Sequence, residues 1–320
     1  MLVPLLLGVL VARSAIPLPQ TIGHYAADVA WESADAVLIA TNSGVHRFSL
    51  RDRKSERLIS NAPVPDGVSD PDAVASDGTT LQVSSAITMG GYSMRLADRK
   101  RLIAQRIRLQ PLDVAVRGRR ACVLGREIKK KTNDAVFCGS INEFWSKYTP
   151  VHRVTSGAAI FPHAVDRIAG AIAIADDGSL AVITSAEPGV FRYAPNGTLI
   201  EKSGESFDEL VIAAMREIPA RFAGDIAGRY RLLLNTQPII DDLVLTPRGP
   251  AIVVRIAEKE RIRWELWWPR ADGRAVPPTR LGIELAGPYE HLRCDARGAS
   301  LACVGSRGSA PHLWIFELPK

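Results

Sequence analysis

The feature that most restricts the fold of this 320-residue chain is an internal repeat. A short apolar strand, a tight turn and a second apolar strand recur six times. The units read DVAWESADAVLIA from Asp28, DAVASDGTTLQV from Asp72 and DVAVRGRRACVL from Asp113. They continue as AIAIADDGSLAVI from Ala171, DLVLTPRGPAIVV from Asp242 and LRCDARGASLACV from Leu292. Five of the turns carry glycine, at Gly78, Gly118, Gly178, Gly249 and Gly298, while the first uses Ala34-Asp35. Glycine suits these positions because tight hairpin turns often require φ > 0.

A third strand follows in most units: GVHRFSL from Gly44, GYSMRL from Gly91, GVFRY from Gly189, WELWW from Trp264 and HLWIFEL from His312. A polar turn then leads to a fourth. Six units of four strands in one order predict an all-β, six-bladed β-propeller over residues 16–320. A β-sandwich also has many short strands but does not repeat them in this order. The turn glycines lie 40, 60, 71 and 49 residues apart, so the extra length falls in insertions. Unit six stops after its third strand, and a segment within about Ile16–Tyr25 is expected to supply the fourth and close the ring. One helix is expected at about 206–222 (SFDELVIAAMREIPARF), with capping-box spacing between Ser206 and Glu209 and a stop at Pro219. Its apolar stripe suits packing against a blade edge.

The helix together with QPIIDDLVLTPRGPAIVV (237–254), and GVFRYAPNGTLIEK (189–202), resemble bacterial six-bladed β-propellers related to NHL-repeat and TolB-like proteins. The resemblance implies an architecture. It does not imply an activity, since such folds host binding scaffolds and enzymes alike.

Composition agrees with a folded chain: 47% apolar and 23% charged residues argue for a sizeable core and against disorder. The net charge of +6 is unevenly placed. Between Arg95 and Lys131 there are thirteen Lys or Arg against three acids, so the remainder of the chain is net negative. Such a sector attracts anionic surfaces, with Arg119, Arg120, Lys129, Lys130 and Lys131 as candidate contacts. It equally suits solvated hairpins, and without a recognition motif nucleic acid is not an expected partner. Trp267 and Trp268, close to Arg261, Arg263 and Arg270, form the other candidate contact. Adjacent strand residues face opposite sides, so packing between blades explains them as well.

Leu2–Ala12 is an apolar stretch followed by Arg13, Ser14 and Ala15. It suits a signal peptide or an N-terminal membrane-associated segment over 1–15, or a buried strand. Cys294 and Cys303 flank a hairpin turn at Gly298-Ala299, and Cys122 and Cys138 flank the loop KKKTND. Each pair is placed for a cross-strand disulfide, consistent with an oxidising compartment.

Catalytic signals are weak. The six histidines form no metal motif, and no nucleophile elbow, P-loop or dinucleotide fingerprint occurs. No catalytic residue or cofactor is assigned. Asp28, Asp72, Asp113 and Asp242 precede or open the first strands of their units, where they suit either turn capping or a channel cation. The expected function is a non-catalytic interaction or scaffold module outside the cytoplasm, periplasmic or extracellular. A protein partner, including a membrane-protein complex, is expected. The alternative is a metal-dependent hydrolase or lactonase with its site in the channel.

Overall fold

The computed structural model describes residues 9–127, 134–143, 147–154, 170–184, 187–203, 239–258, 261–269, 277–285, 291–307 and 310–319. Two short strands come first, β1 (Val9–Leu10) and β2 (Ser14–Pro17). Blade 1 follows as β3 (Ala26–Ser33), β4 (Ala36–Thr41), β5 (Gly44–Ser49) and β6 (Ser55–Ser60). Blade 2 is β7 (Ala73–Ser76), β8 (Thr80–Ser85), β9 (Gly90–Arg95) and β10 (Lys100–Arg106). Blade 3 is β11 (Leu109–Arg117), β12 (Arg120–Glu127), β13 (Asp134–Ser140) and β14 (Thr149–Arg153). Blade 4 comprises β15 (Gly170–Ile174), β16 (Leu180–Thr184), β17 (Glu187–Tyr193) and β18 (Leu199–Ser203). Blade 5 comprises β19 (Ile239–Thr246), β20 (Gly249–Glu258), β21 (Arg261–Trp267) and β22 (Thr279–Leu285). Blade 6 contains β23 (Arg293–Arg297), β24 (Ser300–Arg307) and β25 (Ala310–Glu317).

Each blade is an antiparallel meander, and the first strands touch one another in a closed cycle around a central channel. The chain is therefore a six-bladed β-propeller with four-stranded blades. The helix expected at 206–222 lies outside the described residues.

Closure comes from the N-terminal side, slightly earlier than the sequence suggested. Strand β2 pairs antiparallel with β25, with Ser14 opposite Ile315 and Ile16 opposite Leu313, and so completes blade 6. Upstream, β1 pairs in parallel with β22 as a fifth strand on blade 5. Residues 9–17 thus strap the outer edges of two neighbouring blades, a feature the repeat pattern did not reveal.

Alternation along the strands explains the core. In β4, Val37 and Ile39 face blade 6, while Leu38 and Ala40 face blade 2. Both faces of a blade are covered, so the strand reads as an unbroken apolar run, buried throughout. Six apolar clusters result, one at each junction between blades. That between blades 5 and 6 packs Trp264, Trp268, Trp314 and Phe316. The closing segment adds Ile16 and Leu18 to the cluster between blades 6 and 1. Burying each large side chain contributes about 1.5–3 kcal/mol, so the straps are tied to the core as well as to a sheet edge.

Both expected disulfides are present. Cys122 bonds Cys138 across β12 and β13, and Cys294 bonds Cys303 across β23 and β24, each pair directly opposite in register.

Candidate functional site: an acidic channel with its own guanidinium

A propeller brings the free edges of its first strands to the channel. An edge strand leaves alternate backbone N–H groups without a sheet partner, and a buried N–H needs an acceptor. Three aspartates meet this demand. Asp28 Oδ1 accepts the N–H of Val29 at 2.8 Å, and its Oδ2 accepts that of Val74 in blade 2, also at 2.8 Å. Asp113 does the same for Val114 and for Ile172 in blade 4. Asp242 does the same for Leu243 and, at 2.7 Å, for Cys294 in blade 6. Three carboxylates therefore take six N–H groups, and each staples an odd-numbered blade to the next.

The backbone is shaped for this. In blades 1, 3 and 5 the first strand runs 8, 9 and 8 residues, with a register shift immediately before the aspartate. A bulge there re-aims the side chain along the channel edge. In blades 2, 4 and 6 the first strand has only 4, 5 and 5 residues and no such shift. These three aspartates link blades 1 to 2, 3 to 4 and 5 to 6.

At the aspartate's position the even blades carry Ala73, Ala171 and Arg293. Asp72, grouped by sequence with the channel acids, stands one residue out of register; its Oδ2 accepts the N–H of Ala86 within its own blade. The channel ring is Asp28, Asp113 and Asp242 with Arg293. The Arg293 guanidinium is half-buried, donates from Nη1 to the Asp241 carbonyl at 2.6 Å, and stands 3.9 Å from Asp242 Oδ1. Burial lowers its proton affinity, but Asp242, Asp113, Asp28 and Asp241 outweigh that, so it stays charged.

One guanidinium does not balance three buried carboxylates. Burial, then repulsion from Asp242 and Asp113, holds the Asp28 carboxyl well above its ordinary range. Burial pushes Asp113 to about 6 and Asp242 to about 8, against the pull of Arg293 and of the stapling N–H bonds. Asp295 repeats the motif one step further along: its Oδ2 accepts the N–H of Trp31 at 2.7 Å, and its carbonyl accepts Trp31 Nε1. It ties blade 6 to blade 1, and burial raises it to about 6.

Beyond the ring the channel widens into a cavity of about 750 Å³, which runs to the turns that end the first strands. Seven aspartates and two arginines line it, in a chain of net charge +6. At its rim Arg117 pairs with Asp176, while Asp77 accepts N–H bonds from Thr79, Thr80 and Gly118. Burial raises Asp77, but those bonds outweigh it and leave its carboxyl below the ordinary value. On the far side of the ring, buried Asp241 accepts Trp264 Nε1 at 2.6 Å, the N–H of Leu292 at 3.1 Å, and a hydrogen bond from His291 Nδ1 at 3.0 Å.

The other residues singled out from sequence lie apart from this ring. Arg119 and Arg120 line a groove of about 610 Å³ between blades 3 and 4, together with Cys138, Thr149 and Pro195. Arg120 donates to the Gly178 carbonyl at 2.5 Å, and its Nη2 lies 3.8 Å from Cys138 Sγ. Lys129, Lys130 and Lys131 fall outside the described residues. Trp268 packs between blades 5 and 6 under the guanidinium of Arg248, whereas Trp267 packs toward blade 4 and donates to Glu265. One Ser–His contact was missed: Ser43 Oγ sits 2.8 Å from His46 Nε2, with burial, then Arg57, lowering His46 to about 4. The same hydroxyl also donates to the Ile22 carbonyl, so the pair fastens the closing segment to blade 1.

No protein-family model matches the chain, and curated proteins give no match. Solved structures do. A member of the duf4221 family from Bacteroides vulgatus superposes with a TM-score of 0.58 at 8% identity, over 96% of this chain and 97% of that one. Regucalcin from Agrobacterium tumefaciens, described as a calcium-binding protein, gives 0.56 at 10% identity over 98% and 97%. The Cps50 (Swd1) β-propeller domain of Myceliophteria thermophila gives 0.51 at 14% identity over 96% and 99%. At these identities the likeness is one of fold: this chain is similar to β-propellers from bacteria and fungi along nearly its whole length.

Proposed function

We propose that this protein is a non-catalytic interaction module acting outside the cytoplasm, a propeller of the NHL-repeat and TolB-like kind, and a peripheral subunit of a membrane-protein complex. One observation carries the reading. The acids best placed for channel chemistry, Asp28, Asp113 and Asp242, commit both carboxylate oxygens to the backbone that holds the blades together. Among the described residues no three His, Cys, Asp or Glu side chains converge as a metal-ligating group. This favours a scaffold over a channel hydrolase.

Two cross-strand disulfides support an oxidising compartment. Among the described residues no helix is long and apolar enough to cross a membrane. Cleavage after Ala15 would remove β1 and half of β2, so the reading takes 1–15 as retained rather than cleaved. The mass of the mature protein decides this.

The partner is expected to meet the basic sector, because Arg119 and Arg120 present their charge beside an open groove. Affinity capture from the native cell at two salt concentrations tests this. Charges more than about 8 Å apart are screened at physiological ionic strength, so capture should weaken as salt rises. Neutralising Arg119, Arg120, Lys129, Lys130 and Lys131 together should reduce capture and leave the fold intact. Unchanged capture in that variant, or tight stoichiometric calcium binding by the purified protein, would overturn the proposal.

A further inference from the structure

We infer that the groove between blades 3 and 4 binds an acidic segment of a protein partner, an extended peptide whose carboxylates meet Arg119 and Arg120. The inference rests on the partner reading above and gives that partner its chemistry. Arg119 stands exposed on the turn between β11 and β12, and Arg120 opens β12, half-buried. Among the described residues the Arg119 guanidinium has no partner, and that of Arg120 has only the Gly178 carbonyl and Cys138 Sγ. Their neighbours are paired: Arg117, just before the turn, holds Asp176, and on the facing turn of blade 4 Asp177 lies 3.8 Å from Arg192. Burial lowers the proton affinity of Arg120, and no carboxylate counters it. A partly desolvated cation without a counter-ion is costly, so the groove favours an anion that supplies one.

The groove supplies the rest of a peptide site. Among the described residues no acid lines its 610 Å³, so its charge is of one sign. The bonds from Nη1 to the Gly178 carbonyl at 2.5 Å and from Nη2 to Cys138 Sγ at 3.8 Å hold the Arg120 fork in place before a ligand arrives. Its other N–H groups stay uncommitted and can grip a carboxylate. Donors fixed in advance lower the ordering cost of binding. Arg119, on the turn, is placed to take a second carboxylate. A small anion would use the two charges alone. Pro150, Val151 and Pro195 add an apolar wall, which an extended peptide covers with its side chains while its acids face the arginines.

The purified full-length protein is titrated, by fluorescence anisotropy, with hexapeptides of leucine, proline and glycine that carry a pair of glutamates and an uncharged dye. The pair is adjacent, one residue apart or two apart. Controls replace glutamate with glutamine or lysine, and succinate and inorganic phosphate serve as competitors at matched ionic strength. Saturable binding of at least one acidic peptide is expected, with none of the control peptides and weakening as salt rises. Arg120→Gln should weaken binding by about tenfold, and Arg119→Gln, at an exposed position, by less. Arg120→Lys keeps the charge but loses the fork that serves Gly178 and a carboxylate together, so it should restore only part of the affinity. Should Arg120→Gln fail to fold, Arg119→Gln and the wild-type titrations decide. Silence from all acidic peptides at millimolar concentration, equal binding of the glutamine forms, or succinate or phosphate binding as tightly as the best peptide would overturn the inference. Silence here beside salt-dependent capture from cells leaves the partner reading standing. Peptide binding beside unchanged capture by the neutralised variant overturns that reading alone.

Discussion

Replacing Asp113 with alanine removes the acceptor of two N–H groups, on Val114 and on Ile172 of the next blade. A buried donor left unpaired costs about 1–3 kcal/mol, and these line a cavity that water enters, so roughly 3 kcal/mol for both is expected. Charge opposes this. The carboxyl is raised from 3.8 to about 6, chiefly by burial. Below the unfolded value both states are protonated and the group's contribution is complete. As pH climbs through about 4 to 6 the folded state keeps a proton that the unfolded state has lost, so stability falls with pH. The gap of roughly two pH units corresponds to about 3 kcal/mol, lost by the time the folded carboxyl has ionised. Asp113→Ala has no such loss. It should therefore be less stable than wild type by about 3 kcal/mol at pH 4 and nearly equal to it at pH 8. Urea unfolding midpoints at the two pH values measure the difference. A penalty that is constant with pH, or larger at pH 8, would refute the argument that burial outweighs the stapling hydrogen bonds.

Three further outcomes are expected. Deleting residues 1–17 removes β1 and β2, so unfolding should shift to lower denaturant and lose its single transition; an unchanged midpoint would contradict closure by this segment. Replacing Cys294 and Cys303 with serine opens a loop spanning 9 residues, worth about 2.6 kcal/mol by chain entropy, and the Cys122–Cys138 pair spans 16, worth about 3.1 kcal/mol. Thiol titration of the unreduced, denatured protein should find no free thiol. Trp264→Phe keeps most of the packing between blades 5 and 6 but leaves Asp241 one donor short, so a loss of about 1–3 kcal/mol is expected in the same unfolding assay.

Blade number, strand order and both disulfides were legible because each rests on local pattern: alternating apolar residues, a turn glycine, and cysteines placed symmetrically about a hairpin. The stapling ring was half legible. Asp28-Val29, Asp113-Val114 and Asp242-Leu243 mark alternate units, and this period-two alternation was the available signal. Aligning Asp72 with them hid it, because a one-residue offset turns the side chain back into its own blade. Arg293 was not legible, since its role depends on three acids more than 50 residues away in the chain. The strap of β1 on blade 5 is a parallel pairing between distant segments and leaves no local mark.

Hydrogen exchange at the amides of Val29, Val74, Val114, Ile172, Leu243 and Cys294 tests the stapled ring. These amides belong to edge strands beside an open cavity, so without acceptors they would exchange like exposed edges. The ring predicts protection comparable to amides inside the sheets, and Asp242→Ala should release Leu243 and Cys294, in two different blades, while the other four stay protected. Fast exchange at all six in the wild-type protein would contradict it.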